Sequence, residues 1–532
     1  MTITSPAPVG DVTRVTEAQP ESLTAENDGA ASVPSPLRRW SGTDPLVGWY
    51  LTAMVTAVAA FTRFWRLSYT QGKQFDEVYY ATEAQELLRY GYEHNPGYLF
   101  IVHPSVGKWA IALTSALFGD TELGWRAAPA VAGTLSVLIL VRVARRMLRS
   151  NVFGALAGLL LTLDGVSVVQ SRVALLDIFL QLFIVAGFAA LVLDRDQFRE
   201  RLARFIAAGG ATLAGVPALG PRPWRLVGTV LLALACGVKW SALPFLALFA
   251  AMSLSWDLGA LRSAGVRHPW RHVWRRCWIS GAAVIGLGSL GTYALTWLGW
   301  FVGEDSYNRH WSESHSAAGL AKHFPGALRD LINIHTSAYH FHVTLTSYHP
   351  YKSTAWGWLI LGRPVLYTYH QTPDKADGHS TCGAAKCVDA ILLIGTPVMW
   401  YAFLPTLLWL VWHWATTRDW RAATVLVAFL AGWAFWLDHP ERTAFLFYMT
   451  PLMPFLALGL ALAIGTMVGP ANRTSLRAVT GGRRRRPDWR LLTATLLVGA
   501  IVADFVWMFP LYTDITLSLH AWQQRMWFAS WS

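Results

Sequence analysis

The sequence is poor in charge. Of its 532 residues, 14% are Asp, Glu, Lys or Arg, where a soluble domain carries about a quarter. That shortage argues against the several soluble domains its length would otherwise suggest. A Gly-rich phosphate loop is missing, so a soluble nucleotide is not the implied donor of any transferred group. No HExxH and no Cys/His ligand pairing occurs. The dense histidines of "NIHTSAYHFH" (His335, His340 and His342) therefore read as structural or groove-lining residues rather than a metal site. No repeat is visible, which weakens an inverted-repeat transporter. The N-terminal stretch lacks the basic-then-apolar order of a cleaved signal peptide. Its Ser-, Thr-, Ala- and Pro-rich composition makes residues 1–40 a disordered tail. Of four cysteines, only Cys382 and Cys387 share a polar loop, where they can form a disulfide if the loop faces an oxidising compartment.

What the sequence has is hydrophobic length. Residues of the hydrophobic class make up 54%, and apolar runs near 20 residues recur, as membrane-spanning helices require. The runs are 46–66, 126–144, 151–169, 174–193, 224–238, 240–256, 277–299, 389–412, 422–437, 443–468 and 491–512. They predict an all-α polytopic membrane protein of about eleven transmembrane helices. The run 151–193 is divided at "QSR" and the run 224–256 at Lys239.

The net charge of +12 is explained by where the arginines fall. They cluster in alternate short loops: Arg38 and Arg39; Arg142, Arg145, Arg146 and Arg149; Arg195, Arg199, Arg201 and Arg204; Arg262 to Arg276; Arg418 and Arg421; and Arg483 to Arg486. By the positive-inside rule these loops and the N-terminus are cytoplasmic. Nucleic acid is then an unnecessary partner. The C-terminal segment 513–532 falls outside, with the first outer loop 67–125 and the large outer loop 300–388, in a transmembrane domain spanning 41–512.

On that outer side lies one acidic pair, Asp76 and Glu77, at the start of a run in which Val78, Ala81, Ala84, Leu87 and Leu88 recur at helical spacing. The run predicts an amphipathic helix at the membrane interface. The pair reads either as a helix cap or as a general base with its neighbour. Against it stand His103, Lys108, Arg126, Arg172, Lys239 and Arg442, with Asp177 beside Arg172 in sequence. Arg126 reads alternatively as a snorkelling side chain, and Arg172 as a partner of Asp177. Lys239 lies between two apolar segments, where a lysine is by default functional. Basic positions facing one acidic pair describe an anion site beside a base.

"FDE", "HPSVGK", "SRVALLD", "GVKWSALPF" and "PERTAFLFYMTP" occur in this order, and together they resemble the protein O-mannosyltransferases of the GT-C glycosyltransferase architecture. The resemblance implies transfer of mannose from a polyprenyl phosphate carrier to Ser or Thr of exported proteins, with inversion at the sugar carbon. It makes Asp76 the catalytic carboxylate with Glu77 its neighbour in the pair, and Arg126 and Lys239 resemble positively charged positions near the donor phosphate. Arg172 and Arg442 join them as phosphate-binding candidates by their charge on the same side. His103, Lys108 and Asp177 are supporting residues. The implied partners are the lipid donor, Ser/Thr-rich acceptors and the secretion translocon; no cofactor is firmly implied, and neither metal dependence nor oligomeric state is specified. The large loop is too short for the β-trefoil domain of eukaryotic members, which points to the bacterial, actinobacterial-type branch. The family's "HPPLGK" reads "HPSVGK" here, and a Tyr-His pair reads Tyr448-Met449. A transferase of another lipid-linked sugar, such as an arabinose, onto lipid or cell-wall glycan is the rival within the architecture. A lipid-linked-sugar transporter is the rival outside it.

Overall fold

A computed structural model of the protein describes residue 37 and residues 44–94, 101–213, 215–274, 279–317, 319–372, 382–469 and 488–532. Most of the expected tail and the Arg483–Arg486 run lie outside the described residues.

The chain is a polytopic helical membrane protein. Its first half runs α1 (Pro45–Phe64), α2 (Glu77–Tyr90), α3 (Val106–Phe118), α4 (Glu122–Leu148), α5 (Asn151–Thr162), α6 (Gly165–Gln170), α7 (Asp177–Ala207), α8 (Pro223–Cys236) and α9 (Leu243–Ser263). The principal later helices are Ile279–Leu295, Gly326–Thr344, Pro397–Thr417, Trp420–Trp433, Met453–Val468 and Trp489–Thr513. Local signals set the boundaries. Asp44 accepts from the amides of Leu46 and Val47 ahead of Pro45, and Thr121 caps α4 through Gly124, in each case satisfying amides that have no helical partner.

Among the described residues, seven helical segments are long and apolar enough to cross a membrane, counting Trp240–Ser263, Trp420–Asp438 and Leu446–Val468 as continuous. The expected eleven is thus corrected. The 12 residues of α5 extend only ~18 Å at 1.5 Å per residue, against a hydrocarbon core of ~30 Å. The cause is Asp164: it caps the separate helix α6 through Ser167 and breaks what reads in sequence as one run. The apolar helices α3, α8 and Gly281–Thr296 are also short. Both expected divisions, at 170–172 and at Lys239, coincide with breaks between helices.

A second correction concerns the all-α class. Residues 389–393, expected to open a membrane helix, belong to a strand. β1 (Val365–Gln371) and β2 (Cys387–Leu393) pair antiparallel, and β3 (Leu517–Ser518) pairs with the start of β2. The apolar "CVDAILL" is short and bounded by Gly395 and Pro397, and such a run fits a buried strand as well as a helix. The helix starts at Pro397, where a missing N–H is harmless. Cys382 and Cys387 are disulfide-bonded with Cα atoms 5.9 Å apart, closing the turn that enters β2. The C-terminal segment is stitched onto this sheet region: Trp531 donates to the carbonyl of Leu361 and Arg363 to that of Ser530.

The main core is a continuous apolar cluster around α4, α5, α7 and Met453–Val468. At the far ends of α7, α8 and α9, Arg222 and Arg225 both pair with Asp194 and Asp257. That network joins three helices at the end away from Asp76.

Candidate active site

The acidic pair divides into two roles. Glu77 is fully buried, and its carboxylate accepts from Arg126 Nε at 2.9 Å and Nη2 at 2.8 Å. It also accepts from the amides of Gln74 and Ala174, both at 2.7 Å. Arg126, on the first turns of α4 and 1% exposed, donates its remaining bonds to the carbonyls of Thr70 and Gly72. Neither side chain snorkels, and neither is free to meet a substrate. This bidentate pair clamps the 70–77 loop onto α4 and onto the 171–176 loop. The sequence expectations put Arg126 near the donor phosphate and Glu77 beside the base; in this structure the two side chains bond each other and the loop.

Asp76 differs. It makes no capping hydrogen bond although it sits at the N-cap of α2, so the helix-cap alternative lacks the bond that defines it. The residue before it, Phe75, has φ +49°, a strained conformation for a bulky residue that costs ~1–3 kcal/mol and is found where a site demands it. Its ring is held by Tyr367, Phe445, Phe447 and His349 at 5.2 to 5.9 Å. Asp76 follows this kink directly, and its carboxyl feels the charges of Lys239, Asp177 and Glu83. Burial pushes the Asp76 carboxyl up to about 6, with Lys239 opposing.

Lys239 pairs with Asp177 at 2.7 Å, both being nearly buried. Asp177 therefore does not pair with Arg172, the partner adjacent in sequence. Arg172 donates instead to the carbonyls of Thr62, Arg63, Trp65 and Arg66. Those carbonyls lie at and just past the C-terminus of α1, where the last helical carbonyls have no helical partner. Lys108 bridges Glu83 at 2.9 Å and Glu93 at 2.7 Å and donates to the carbonyl of His103. It acts on the site only by holding this loop.

Arg442 lies beside the pair. It donates to the carbonyl of His342 and to Tyr448 Oη, and its guanidinium stands 5.1 Å from the Trp436 ring centroid. Lys239 Nζ is 5.8 Å from the Tyr448 ring, so one tyrosine touches both cations. His342 stacks on His103 at 5.0 Å. Burial, before any charge, holds His103 well below its ordinary value and lowers His342 to about 4. Both rings are neutral at pH 7. His342 Nε2 donates to the carbonyl of Val102, leaving Nδ1 toward Arg442. Tyr80, buried on α2, stands 6.2 Å from the His103 ring.

Tyr80 and Phe75 escaped the sequence reading as site residues, and of the two only Phe75 carried a signal, through its place in "FDE". His342, read in sequence as structural or groove-lining, stands beside Arg442 and His103. The amphipathic reading of α2 holds for Ala81, Ala84 and Leu87, which are buried, whereas Val78 and Leu88 are exposed. Among the described residues no group of three or more His, Cys, Asp or Glu is placed to hold a metal ion. What converges instead is one partly exposed carboxylate, two cations and neutral aromatic walls. That arrangement suits proton abstraction beside a departing anion.

Two family profiles match the chain. "Dolichyl-phosphate-mannose-protein mannosyltransferase" covers residues 53–281, and "C-terminal four TMM region of protein-O-mannosyltransferase" covers residues 327–531. The polyprenol-phosphate-mannose–protein mannosyltransferase of Mycolicibacterium smegmatis (strain MKD8) is 41% identical over 497 residues, covering 92% of this chain and 94% of the relative. The Corynebacterium glutamicum enzyme of the same name is 33% identical over 518 residues, covering 93% and 95%. In fold, the chain is similar to the S. cerevisiae protein O-mannosyltransferase Pmt1-Pmt2 complex bound to the sugar donor. The TM-score is 0.71 at 13% identity, with 94% of this chain and 95% of that one covered.

Proposed function

The chain belongs to the protein O-mannosyltransferase family, and from that premise we infer that it transfers mannose from polyprenyl phosphate mannose to Ser and Thr hydroxyls of proteins, with Asp76 as the base. The observation that carries the assignment to Asp76 is its carboxylate: uncapped, turned by a strained Phe75, and facing a buried Lys239–Asp177 pair. Asp76 accepts the hydroxyl proton as the acceptor oxygen bonds to the anomeric carbon from the face opposite the phosphate. The C–O bond to phosphate breaks, its electron pair stays on the phosphate, and the sugar carbon inverts. A phosphate leaves as an anion without needing a proton, so a single carboxylate suffices, whereas glycoside hydrolysis uses two. Lys239 and Arg442 stabilise the developing charge in a site from which the aromatic walls exclude water. Arg126 and Glu77 position the loop, and Arg172 holds the end of α1 against it.

The test is direct. Membranes containing the protein are given labelled polyprenyl phosphate mannose and a Thr-rich peptide, and the label is expected on the peptide. Label on lipid or glycan alone would instead favour the other lipid-linked sugar transferase. The double variant Lys239→Met/Asp177→Leu separates chemistry from folding. Replacing a buried ion pair by apolar residues is often near neutral for stability. Transfer at matched membrane levels is nevertheless expected to fall by ~10² or more, the scale of a lost transition-state charge contact. Unchanged transfer would remove Lys239 from the mechanism.

The site is proposed to face the extracytoplasmic side of the plasma membrane, with acceptors arriving as exported chains beside the translocon. Two features support this: the arginine-rich loops and the disulfide of the sheet region. A reporter fused after Ser532 is expected to read as extracytoplasmic and one inserted within 483–486 as cytoplasmic. A cytoplasmic reading at Ser532 would overturn the orientation, because the C-terminal segment packs on the same outer region as the site.

A further inference from the structure

A groove of about 820 Å³ opens beside the catalytic loop, large among ligand sites of ~300–1,000 Å³, and the transfer chemistry leaves it unused. Loop residues 66–71 form one wall; His370 of β1, Asp389 of β2 and Asp514 form the other. None of the lining side chains is aliphatic. Asp514 is 5% exposed. Thr70 Oγ1 donates to its Oδ2 at 2.7 Å, while its Oδ1 is buried without any hydrogen-bond partner. A buried carboxylate oxygen left bare is costly unless something fills the place. Asp389 adds a second carboxylate, bonded by Thr516. Arg66, the cation of the groove, is stacked 3.5 Å over the Tyr69 ring rather than paired with either acid. The described acidic and histidine side chains do not gather into a metal set. The bare oxygen calls for a hydrogen-bond donor, and a protonated amine or a guanidinium is suited to that place beside a second carboxylate.

We propose that this groove seats the acceptor polypeptide and that Asp514, with Asp389, recognises a Lys or Arg side chain near the modified Ser or Thr. The proposal rests on the mannosyl-transfer reading and names the acceptor class for the same site. The two places are joined by one chain. Thr70 bonds Asp514 through its hydroxyl and Arg126 through its carbonyl, and six residues further on is Asp76. An extended chain covers at most ~3.3–3.6 Å per residue, so the two carboxylates are within ~20–25 Å. The basic residue accordingly lies within about six positions of the acceptor hydroxyl in an extended peptide.

The test uses the full-length protein in membranes with polyprenyl phosphate mannose and single-Thr peptides that carry either Lys or Gln at each flanking position. At one position or more, kcat/KM for the Lys peptide is expected to exceed that for the Gln peptide by about tenfold, the low end of a hydrogen-bonded charge contact. That ratio should fall to about one in Asp514→Asn and in Asp389→Asn, and Asp389→Lys should favour a Glu-flanked peptide. If Asp514→Asn fails to accumulate, the two Asp389 variants carry the test. A wild-type ratio of one at every position, or a preference that survives both Asn changes, overturns the proposal while leaving mannosyl transfer intact. Absence of transfer to any peptide would instead refute the reading beneath it. Ratios that track the phosphatidylethanolamine content of the membrane, and not the peptide, would assign the groove to a lipid headgroup and likewise overturn it.

Discussion

Asp76→Asn is expected to lower mannose transfer by ~10² to 10⁴, the usual range for a lost general base, in a protein that still inserts and folds. The substitution preserves size, and because Asp76 makes no capping bond it removes no structural contact of that kind. Stability should not suffer. Burial raises the carboxyl to about 6, so between its unfolded value near 4 and about 6 the folded state binds more protons than the unfolded one. Ionisation therefore opposes folding as pH rises through that window, and a neutral Asn removes the opposition. The same shift sets the pH profile. At pH 7 the base is largely ionised. Below about 6 it is protonated, and kcat/KM should fall with an acid limb near that value, a limb absent from the residual activity of Asp76→Asn. Near-normal transfer by the variant would return Asp76 to a structural role, as would an unchanged acid limb.

Arg126→Lys should be nearly as damaging, for a different reason. A lysine keeps the charge but cannot reproduce the fork that grips both oxygens of Glu77 while bonding the carbonyls of Thr70 and Gly72. Glu77 would stay buried with its charge partly uncompensated, and breaking a buried pair in this way costs ~3–5 kcal/mol. That is a large fraction of the ~5–15 kcal/mol that holds a typical domain folded. The expected result is a marked drop in thermal stability in detergent, with transfer lost in proportion to folded protein and little change in the KM for donor. If Arg126 bound the phosphate instead, Lys would be a fair substitute for stability and the donor KM would rise. Wild-type melting with a raised donor KM would thus falsify the clamp.

Periodicity and charge order made much of this protein legible. Twenty-residue apolar runs can be satisfied in a bilayer by helices, since every backbone group must bond within its own segment. The alternation of arginine-rich loops predicts a topology without any knowledge of packing. Both divisions of the long runs, at 170–172 and at Lys239, were readable because polar residues interrupt apolar ones. The residues "FDE", "SRVALLD" and "GVKWSALPF" were legible as the site-bearing stretches for the same reason: charges beside membrane segments need a purpose.

The tertiary structure alone decided which charge meets which. Arg172 and Asp177 are only five positions apart, yet Arg172 closes the end of α1 and Asp177 takes Lys239 from 62 positions away. Asp76 and Glu77 are adjacent and chemically alike, and one anchors the loop while the other is left uncapped toward the cations. In the sequence only the motif resemblance separates them; the physical difference is the partners each carboxylate meets next to Phe75, whose ring packs on the distant 349–367 and 445–447 segments. The strand "CVDAILL" shows the same limit for secondary structure. A short apolar run has no preferred period, and only its partner Val365–Gln371 makes it a strand rather than the start of a membrane helix. The sequence by itself determined the kind of element and the side on which charge gathers, since both follow from local hydrophobicity. The partners of buried charges are long-range and exclusive, so the packed chain alone assigns them.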